Sequence, residues 1–181
     1  MTRLTHYALE QPRRLVEDTE DAKRIEQVLA GIGIRYERWP AEVALADDAG
    51  QEEVLRAYAK ETDRLMTECG YRTADVIRLA KGAANAAELR ARFLDEHIHD
   101  EDEVRFFVEG RGAFYLRGEI GVHRVICERG DLLGVPAGTR HWFDMGAAPH
   151  FCAIRLFTDP AGWVARFTSD KVAGTIPRID G

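Results

Sequence analysis

The sequence predicts a mainly β protein, an antiparallel sandwich or barrel of short strands with packing helices ahead of it. Three observations carry this expectation. From Glu103 onward the chain divides into short apolar runs separated by glycine, at 104–108, 113–116, 122–127, 132–135, 141–145 and 151–157; short strands at near-even spacing with turn residues between them are the pattern of antiparallel barrels. Before position 95 apolar residues recur at helical spacing in 20–30 and 51–68. The length of 181 residues, with a hydrophobic fraction of 45 %, suffices for one folded unit with a proper core but not for two of ordinary size.

The elements follow in chain order. Leu4 to Leu9 reads as a short strand that Pro12 interrupts. Asp18 and Thr19 are N-cap candidates for a helix from Glu20 to Ala30, with Ile25, Val28 and Leu29 on one face and Gly31 at its end. Ile34 to Trp39 alternates and stops at Pro40, as a strand does. After a polar turn at Asp47, Asp48 and Gly50, the segment from Gln51 to Glu68 places Val54, Leu55, Tyr58, Leu65 and Met66 at helical spacing, with Gly70 as the stop. Asp75 to Ala80 is extended, and Asn85 with Glu88 resembles a capping box that opens a short helix carrying Leu89, Phe93 and Leu94. At the far end, Asp159 to Trp163 begins a short helix, and the glycine- and proline-bearing tail from Ser169 reads as loosely held. The expectation is one domain over 1–181: a helical and strand part over about 1–95, a barrel core over about 96–158, and a C-terminal helix and tail over 159–181.

Composition narrows the function classes. A formal charge of −6 argues against sequence-independent attraction to nucleic acid or to anionic lipid, both of which want a basic surface. The amino terminus has no apolar run of signal-peptide length and no segment approaches a membrane span, so the expected location is cytoplasmic. Cys69, Cys127 and Cys152 form no Cys-x-x-Cys pair, which points to free thiols rather than a disulfide framework or a thiolate zinc site.

The chemistry concentrates in His97-Ile-His99-Asp-Glu-Asp-Glu103. On an extended strand residues two and four apart share a face, so His97 and His99 point together, and Glu103 joins them if the extended geometry persists. Imidazole and carboxylate together suit a divalent first-row metal such as iron or nickel. About forty residues on, Gly130-Asp-Leu-Leu-Gly-Val-Pro136-Ala-Gly138-Thr-Arg-His141 delivers a further histidine from a glycine- and proline-punctuated turn.

These two stretches resemble the two motifs of the cupin superfamily: His-x-His, three residues, Glu, six residues, Gly110; then Gly, five residues, Pro-x-Gly, two residues, His. Ala91 stands where the first motif opens with glycine and Met145 where the second closes with asparagine, departures that bear on turns rather than on ligands. The resemblance implies a cupin jelly-roll β-barrel, with metal inside and the N-terminal helices packed outside. With the run from Phe93 to Phe106, the later His141-Trp-Phe143 and Trp163, the chain resembles more narrowly the acireductone dioxygenase family. That resemblance implies one Fe2+ or Ni2+ per monomer, held by His97, His99, Glu103 and His141 with two positions open. It also implies Arg105 as the residue that generates the substrate dianion, Glu96 in metal loading and Asp102 in relaying conformational change. Substrate and partner would be acireductone and dioxygen, with formate and a 2-oxo acid as the iron products and formate, carbon monoxide and a shorter acid as the nickel products.

Arg155 sits in the apolar run Phe151 to Phe157, where an unpaired guanidinium is costly. It is expected to face the cavity and hold substrate oxygen or a neighbouring carboxylate. Phe93, Phe106, Phe143 and Trp163 are candidates for the apolar wall around a methylthio side chain. His6, His123 and His150 fall outside both motifs and are expected to be solvated or hydrogen-bonded. The competing readings are another cupin oxygenase or isomerase on the same ligands, and a non-catalytic barrel that only binds metal or ligand; the intact ligand set and Arg105 argue against the last. A monomer is expected.

Overall fold

A computed structural model describes residues 1–159 and 164–180. In chain order the elements are β1 (Arg3–Ala8), β2 (Leu15–Thr19), α1 (Ala22–Gly31), β3 (Arg35–Arg38), α2 (Gln51–Ala57), α3 (Ala59–Cys69), β4 (Thr73–Leu79), α4 (Ala86–Phe93), β5 (His97–Ile98), β6 (Glu103–Arg117), β7 (Gly121–Glu128), β8 (Asp131–Val135), β9 (His141–Asp144), β10 (Phe151–Phe157) and β11 (Arg166–Phe167), followed by a 3₁₀ turn over Val172–Gly174. Every strand pairing is antiparallel. One sheet runs β11-β5-β9-β6-β7-β1-β2; the other joins β4, β10, β6, β8 and β3.

The long strand β6 belongs to both sheets. Its first part pairs with β8 and β10, and the part from Arg111 pairs with β7 and, in Ala113–Leu116, with β9. The change of sheet happens at Gly110, where φ is +68° and a Cβ would stand 1.8 Å from the His150 carbonyl oxygen. Only glycine fits both demands. The two strands expected at 104–108 and 113–116 are therefore one strand folded over a corner.

Alternation along the strands sorts their side chains into three layers. Leu4, Phe107, Phe114, Leu116, Val125, Leu133, Phe143 and Ala153 from both sheets meet in the interior, together with Ile25 and Leu29 of α1. Each such side chain taken out of water contributes roughly 1.5–3 kcal/mol. Val104, Phe106, Ile154 and Leu156 face the opposite way and are covered by Val54, Tyr58 and Leu65 of α2 and α3. Tyr7, Ala113, Tyr115 and Trp142 are covered by the tail residues Ala173 and Ile176.

Several local expectations change. The segment 51–68 is two helices, broken at Tyr58 (φ −117°, ψ 18°), whose ring is buried edge-on against Phe106. The α1 cap is Asp21, which accepts from the Arg24 amide, rather than Asp18 or Thr19. Asn85 makes no side-chain capping bond. The tail is firmly held: the Pro177 carbonyl accepts from the Tyr115 hydroxyl, that of Arg178 accepts from Arg124, and Asp180 accepts from Arg90 and the Ala147 amide. The helix expected from Asp159 to Trp163 lies largely outside the described residues. No described helix is long and apolar enough to cross a membrane.

Candidate metal centre

Strand β5 is only two residues long, and the chain turns before β6 begins at Glu103. The extended geometry expected from His97 to Glu103 does not persist. Glu103 reaches the histidines from a different strand, while β5 pairs with β9 so that His97 and His141 are Cα partners. All four candidate ligands are buried, and one donor atom from each lies within 4.8 Å of the others.

Backbone carbonyls orient two of the rings. Nδ1 of His97 is 2.8 Å from the Asp95 carbonyl oxygen and Nδ1 of His141 is 2.7 Å from that of Thr139. A carbonyl can only accept, so each Nδ1 carries the proton and each Nε2 lone pair is free to bind a cation. Nε2 of His141 lies 2.8 Å and Nε2 of His99 3.2 Å from Oε2 of Glu103. Burial, and then the neighbouring His141, push His97 down to about 4, which keeps it neutral. Burial works to raise the Glu103 carboxyl, but Arg105 and the two histidines outweigh it and hold the group well below the ordinary carboxylate range. Three imidazoles and an ionised carboxylate converging in this way fit a divalent first-row ion.

Arg105 lies beside this cluster and is buried. Its Nε stands 2.7 Å from Oε1 of Glu103 in an ionic contact without hydrogen-bond alignment. The guanidinium lies over Phe143 at 4.6 Å and Phe114 at 5.3 Å. Such a desolvated cation–π contact contributes about 2 kcal/mol.

The turns around the ligands are tied to one another. Asp102 accepts from the Ala137 amide at 2.9 Å and from the Tyr71 hydroxyl at 3.3 Å, and the Gly138 amide donates to the His99 carbonyl. Asp102 thus joins the turn that carries His99 to the turn that delivers His141. Glu96 is buried, accepts from Arg117 at 3.0 Å and Thr168 Oγ1 at 2.6 Å, and so fastens the segment after β11 to the ligand-bearing strand.

The wall residues divide. Phe143 is inside, on Arg105, and Phe93 is half-buried against the same interior cluster. Phe106 is not a wall residue: inward positions on this strand are Glu103, Arg105 and Phe107, so Phe106 points out and packs on Trp39 and Tyr58 at 4.9 and 5.2 Å. Trp163 lies outside the described residues. Arg155 is the cross-strand partner of Arg105 and shares its face, with Nε and Nη2 2.7 and 2.5 Å from the two carboxylate oxygens of Asp75. Asp75 is a neighbouring carboxylate of the kind expected for it. Sequence reasoning missed Phe114 and Phe167; the latter pairs with His97 and lies 5.9 Å from its ring. A short strand so far along the chain carries no sequence signal, and Phe114 has the opposite parity to Phe107, so alternation alone turns it outward; the corner at Gly110 brings it back to the interior.

Fold and donor set together define a cupin that presents a histidine-rich metal centre to the interior of its barrel. Comparison with known proteins places it more narrowly. The model of the ARD/ARD' family matches residues 3–165, and the chain belongs to that family. It is 55 % identical over 180 residues to the acireductone dioxygenase of Parvibaculum lavamentivorans, covering 99 % of this chain and 98 % of that one. It is 53 % identical over 180 residues to that of Pseudomonas aeruginosa, covering 99 % of each. Among solved structures it is similar to acireductone dioxygenase from Bacillus anthracis with a cadmium ion in its active centre, at 30 % identity and a TM-score of 0.80 over 92 % of this chain and 98 % of that one.

Proposed function

We propose that this chain is a metal-dependent dioxygenase that cleaves acireductone with O2, acting as a cytoplasmic monomer in methionine salvage. The observation that carries the reading is the convergence of His97, His99, Glu103 and His141 beside a buried arginine. Full-length identity to relatives of that name supports it. His97, His99, His141 and Glu103 would hold Fe2+ or Ni2+, which when bound supplies a Lewis acid with open positions for a chelating enediol and for oxygen chemistry.

The chain's own residues account for the rest. The Arg105 charge, fixed in a site that excludes water, lowers the cost of ionising the enediol O–H groups and holds the resulting anion. Phe143 and Phe114 keep the guanidinium in place and keep water out, while Phe93 contributes to the apolar surface for the methylthio end. Arg155, held by Asp75 on the strand beside Arg105, would meet substrate oxygen from the face that the two arginines share. Asp102 and Glu96 keep the ligand-bearing turns in register and bear on metal loading through the segments they tie.

Iron would yield formate and 4-methylthio-2-oxobutanoate; nickel would yield formate, carbon monoxide and 3-methylthiopropanoate. The test is anaerobic mixing of iron-loaded or nickel-loaded protein with acireductone, admission of air, and ultraviolet absorbance with product analysis. Enediol loss well above the uncatalysed background is expected in both arms, with carbon monoxide only in the nickel arm. Loss at the background rate in both arms would remove the dioxygenase reading.

A further inference from the structure

Given the four-ligand centre proposed above, on which this rests, we infer that Asp75 is a positioning residue for it: by clamping Arg155, Asp75 keeps that guanidinium off Glu103, the carboxylate on which metal binding depends. Asp75, Arg155 and Arg105 are successive Cα partners across β4, β10 and β6. Ile77 and Leu79, which share the parity of Asp75 on β4, pack into the interior, so the three charged side chains lie on the inward face. Exposure rises along the row, from 2 % for Glu103 and 5 % for Arg105 to 26 % for Arg155 and 35 % for Asp75. The outer pair thus stands on the solvent side of the buried centre.

Two guanidiniums on directly opposed strand positions repel each other. Each here has its own carboxylate. Nε of Arg105 stands 2.7 Å from Oε1 of Glu103, while Arg155 is held by both oxygens of Asp75, through Nε at 2.7 Å and Nη2 at 2.5 Å. A two-point contact of that kind fixes the direction of a guanidinium as well as offsetting its charge. Direction matters because Glu103 is the diagonal neighbour of Arg155, two residues from its partner Arg105. Diagonal positions are about 7–8 Å apart, within reach of a long side chain. The Arg155 guanidinium already leans that way: it lies over the Phe157 ring at 5.2 Å, and the same register continued by one step brings Phe157 opposite Glu103.

Released from Asp75, Arg155 would turn to the Glu103 carboxylate. Oε1 is already beside Arg105, so a second guanidinium would settle towards Oε2, which stands 2.8 Å from Nε2 of His141 and 3.2 Å from Nε2 of His99. That oxygen faces the imidazole donors. A fixed cation beside it opposes a divalent ion twice over, by occupying the carboxylate and by charge repulsion in a site shielded from water. Asp75 prevents both, since it holds Arg155 along the row and offsets its charge there.

The test is equilibrium dialysis of nickel-loaded protein against nickel–nitrilotriacetate buffers of stepped free Ni2+, with nickel per chain read by elemental analysis. In Asp75→Asn and Asp75→Ala the free Ni2+ at half loading is expected to rise by about tenfold or more, the size of loss that an outer-sphere partner of a metal centre causes. Asp75→Glu, which keeps the charge, recovers most of that loss. Arg155→Ala does not raise the value, and adding it to either Asp75 variant brings half loading back towards that of the unaltered protein, a coupling that a merely structural role for Asp75 would not show. A partly exposed ion pair adds little to stability, so melting temperatures should hold, and asparagine, which matches aspartate in shape, carries the test if the alanine variant does not fold. Half loading unchanged in Asp75→Asn, or a loss that persists when Arg155 is removed as well, would overturn the proposal. Nickel occupancy is read without acireductone or oxygen, so either result leaves the dioxygenase assay above to stand by itself; unaltered protein that loads no nickel would overturn the four-ligand centre and this role with it.

Discussion

Gly112→Ala tests how closely the aromatic packing controls the metal-side arginine. Gly112 lies on β6 just past the corner, and a Cβ there would stand 2.2 Å from Cζ and 2.6 Å from Cε2 of Phe143. Non-bonded carbons settle near 3.5–4.0 Å, so the ring must retreat by more than about 1 Å. Its retreat is obstructed on every side, by Phe114 at 4.9 Å, Phe151 at 5.8 Å, Phe107 at 6.5 Å and the Arg105 guanidinium at 4.6 Å. Overpacking of this kind costs about 1–3 kcal/mol, and each kcal/mol lowers Tm by about 2–4 °C in a chain of this length. Because Phe143 carries Arg105, the displacement also reaches the reacting region, where a misplacement of about 1 Å can cost on the order of 100-fold in rate.

Thermal melts, steady-state turnover and metal content on the same preparations separate these effects. The variant is expected to melt lower and turn over slowly with its metal retained, since no ligand is touched. Adding Phe143→Leu, which makes room for the new methyl group, should recover part of the lost stability, a coupling expected of residues in contact. An alanine variant with unchanged Tm and turnover, or a double variant less stable than the two single effects combined, would refute the packing argument.

Three further outcomes follow from the same geometry. Arg105→Ala should reduce turnover by at least about 100-fold while metal content stays constant, and lysine should restore little, because a point charge does not reproduce the planar cation stacked on Phe143; retained turnover would remove Arg105 from the chemistry. In metal-free protein, His123 is depressed by burial, with His6 adding to it, to about 4. The folded state therefore stays neutral while the unfolded chain takes up a proton, and stability falls as pH drops from about 6.5 towards about 4 at up to about 1.4 kcal/mol per pH unit; denaturant midpoints across that window should show a shallower slope in His123→Gln, and an identical slope would contradict the assignment. Glu96→Gln weakens the tie to Arg117 and Thr168, so limited proteolysis within residues 164–170 should accelerate, with the rest of the chain protected as before.

How much of the molecule is legible in its sequence depends on how local each signal is. His97, His99, Glu103 and His141 are readable because each sits in a short motif whose turn chemistry travels with it. The alternation Glu103, Arg105, Phe107 is equally present, and period two applied to it turns Phe106 outward from the sequence alone. The Asp75 partner of Arg155 is 80 residues away and depends on which strand lies beside β10, which no spacing encodes. The tail reads as loose because glycine and proline punctuate it, yet what holds it are its backbone carbonyls and Asp180, bound by Tyr115, Arg124 and Arg90 from distant elements. Helix 51–68 loses its continuity to one buried ring, Tyr58, a tertiary demand that overrides a sound local pattern.

The metal centre owes its geometry to strand register more than to any single contact. Phe167, His97, His141, Leu116, His123, His6 and Glu17 form one row of cross-strand partners. Because side chains alternate with period two, a slip of β9 by one residue would exchange His141 for Arg140 or Trp142 and break the donor set at once. Four-residue β9 has few ladder bonds with which to resist that slip. The resistance comes from outside the ladder: the Thr139 carbonyl on the His141 ring, the Gly138 amide on His99, Asp102 on the Ala137 amide, and Arg90 with the Gly146 and Ile179 amides on Asp144 at the strand's other end. Both ends of β9 are thus pinned by groups that belong to no sheet, which is why the glycine- and proline-bearing turn before His141 and the buried Asp144 after it act on the same thing, the position of one imidazole.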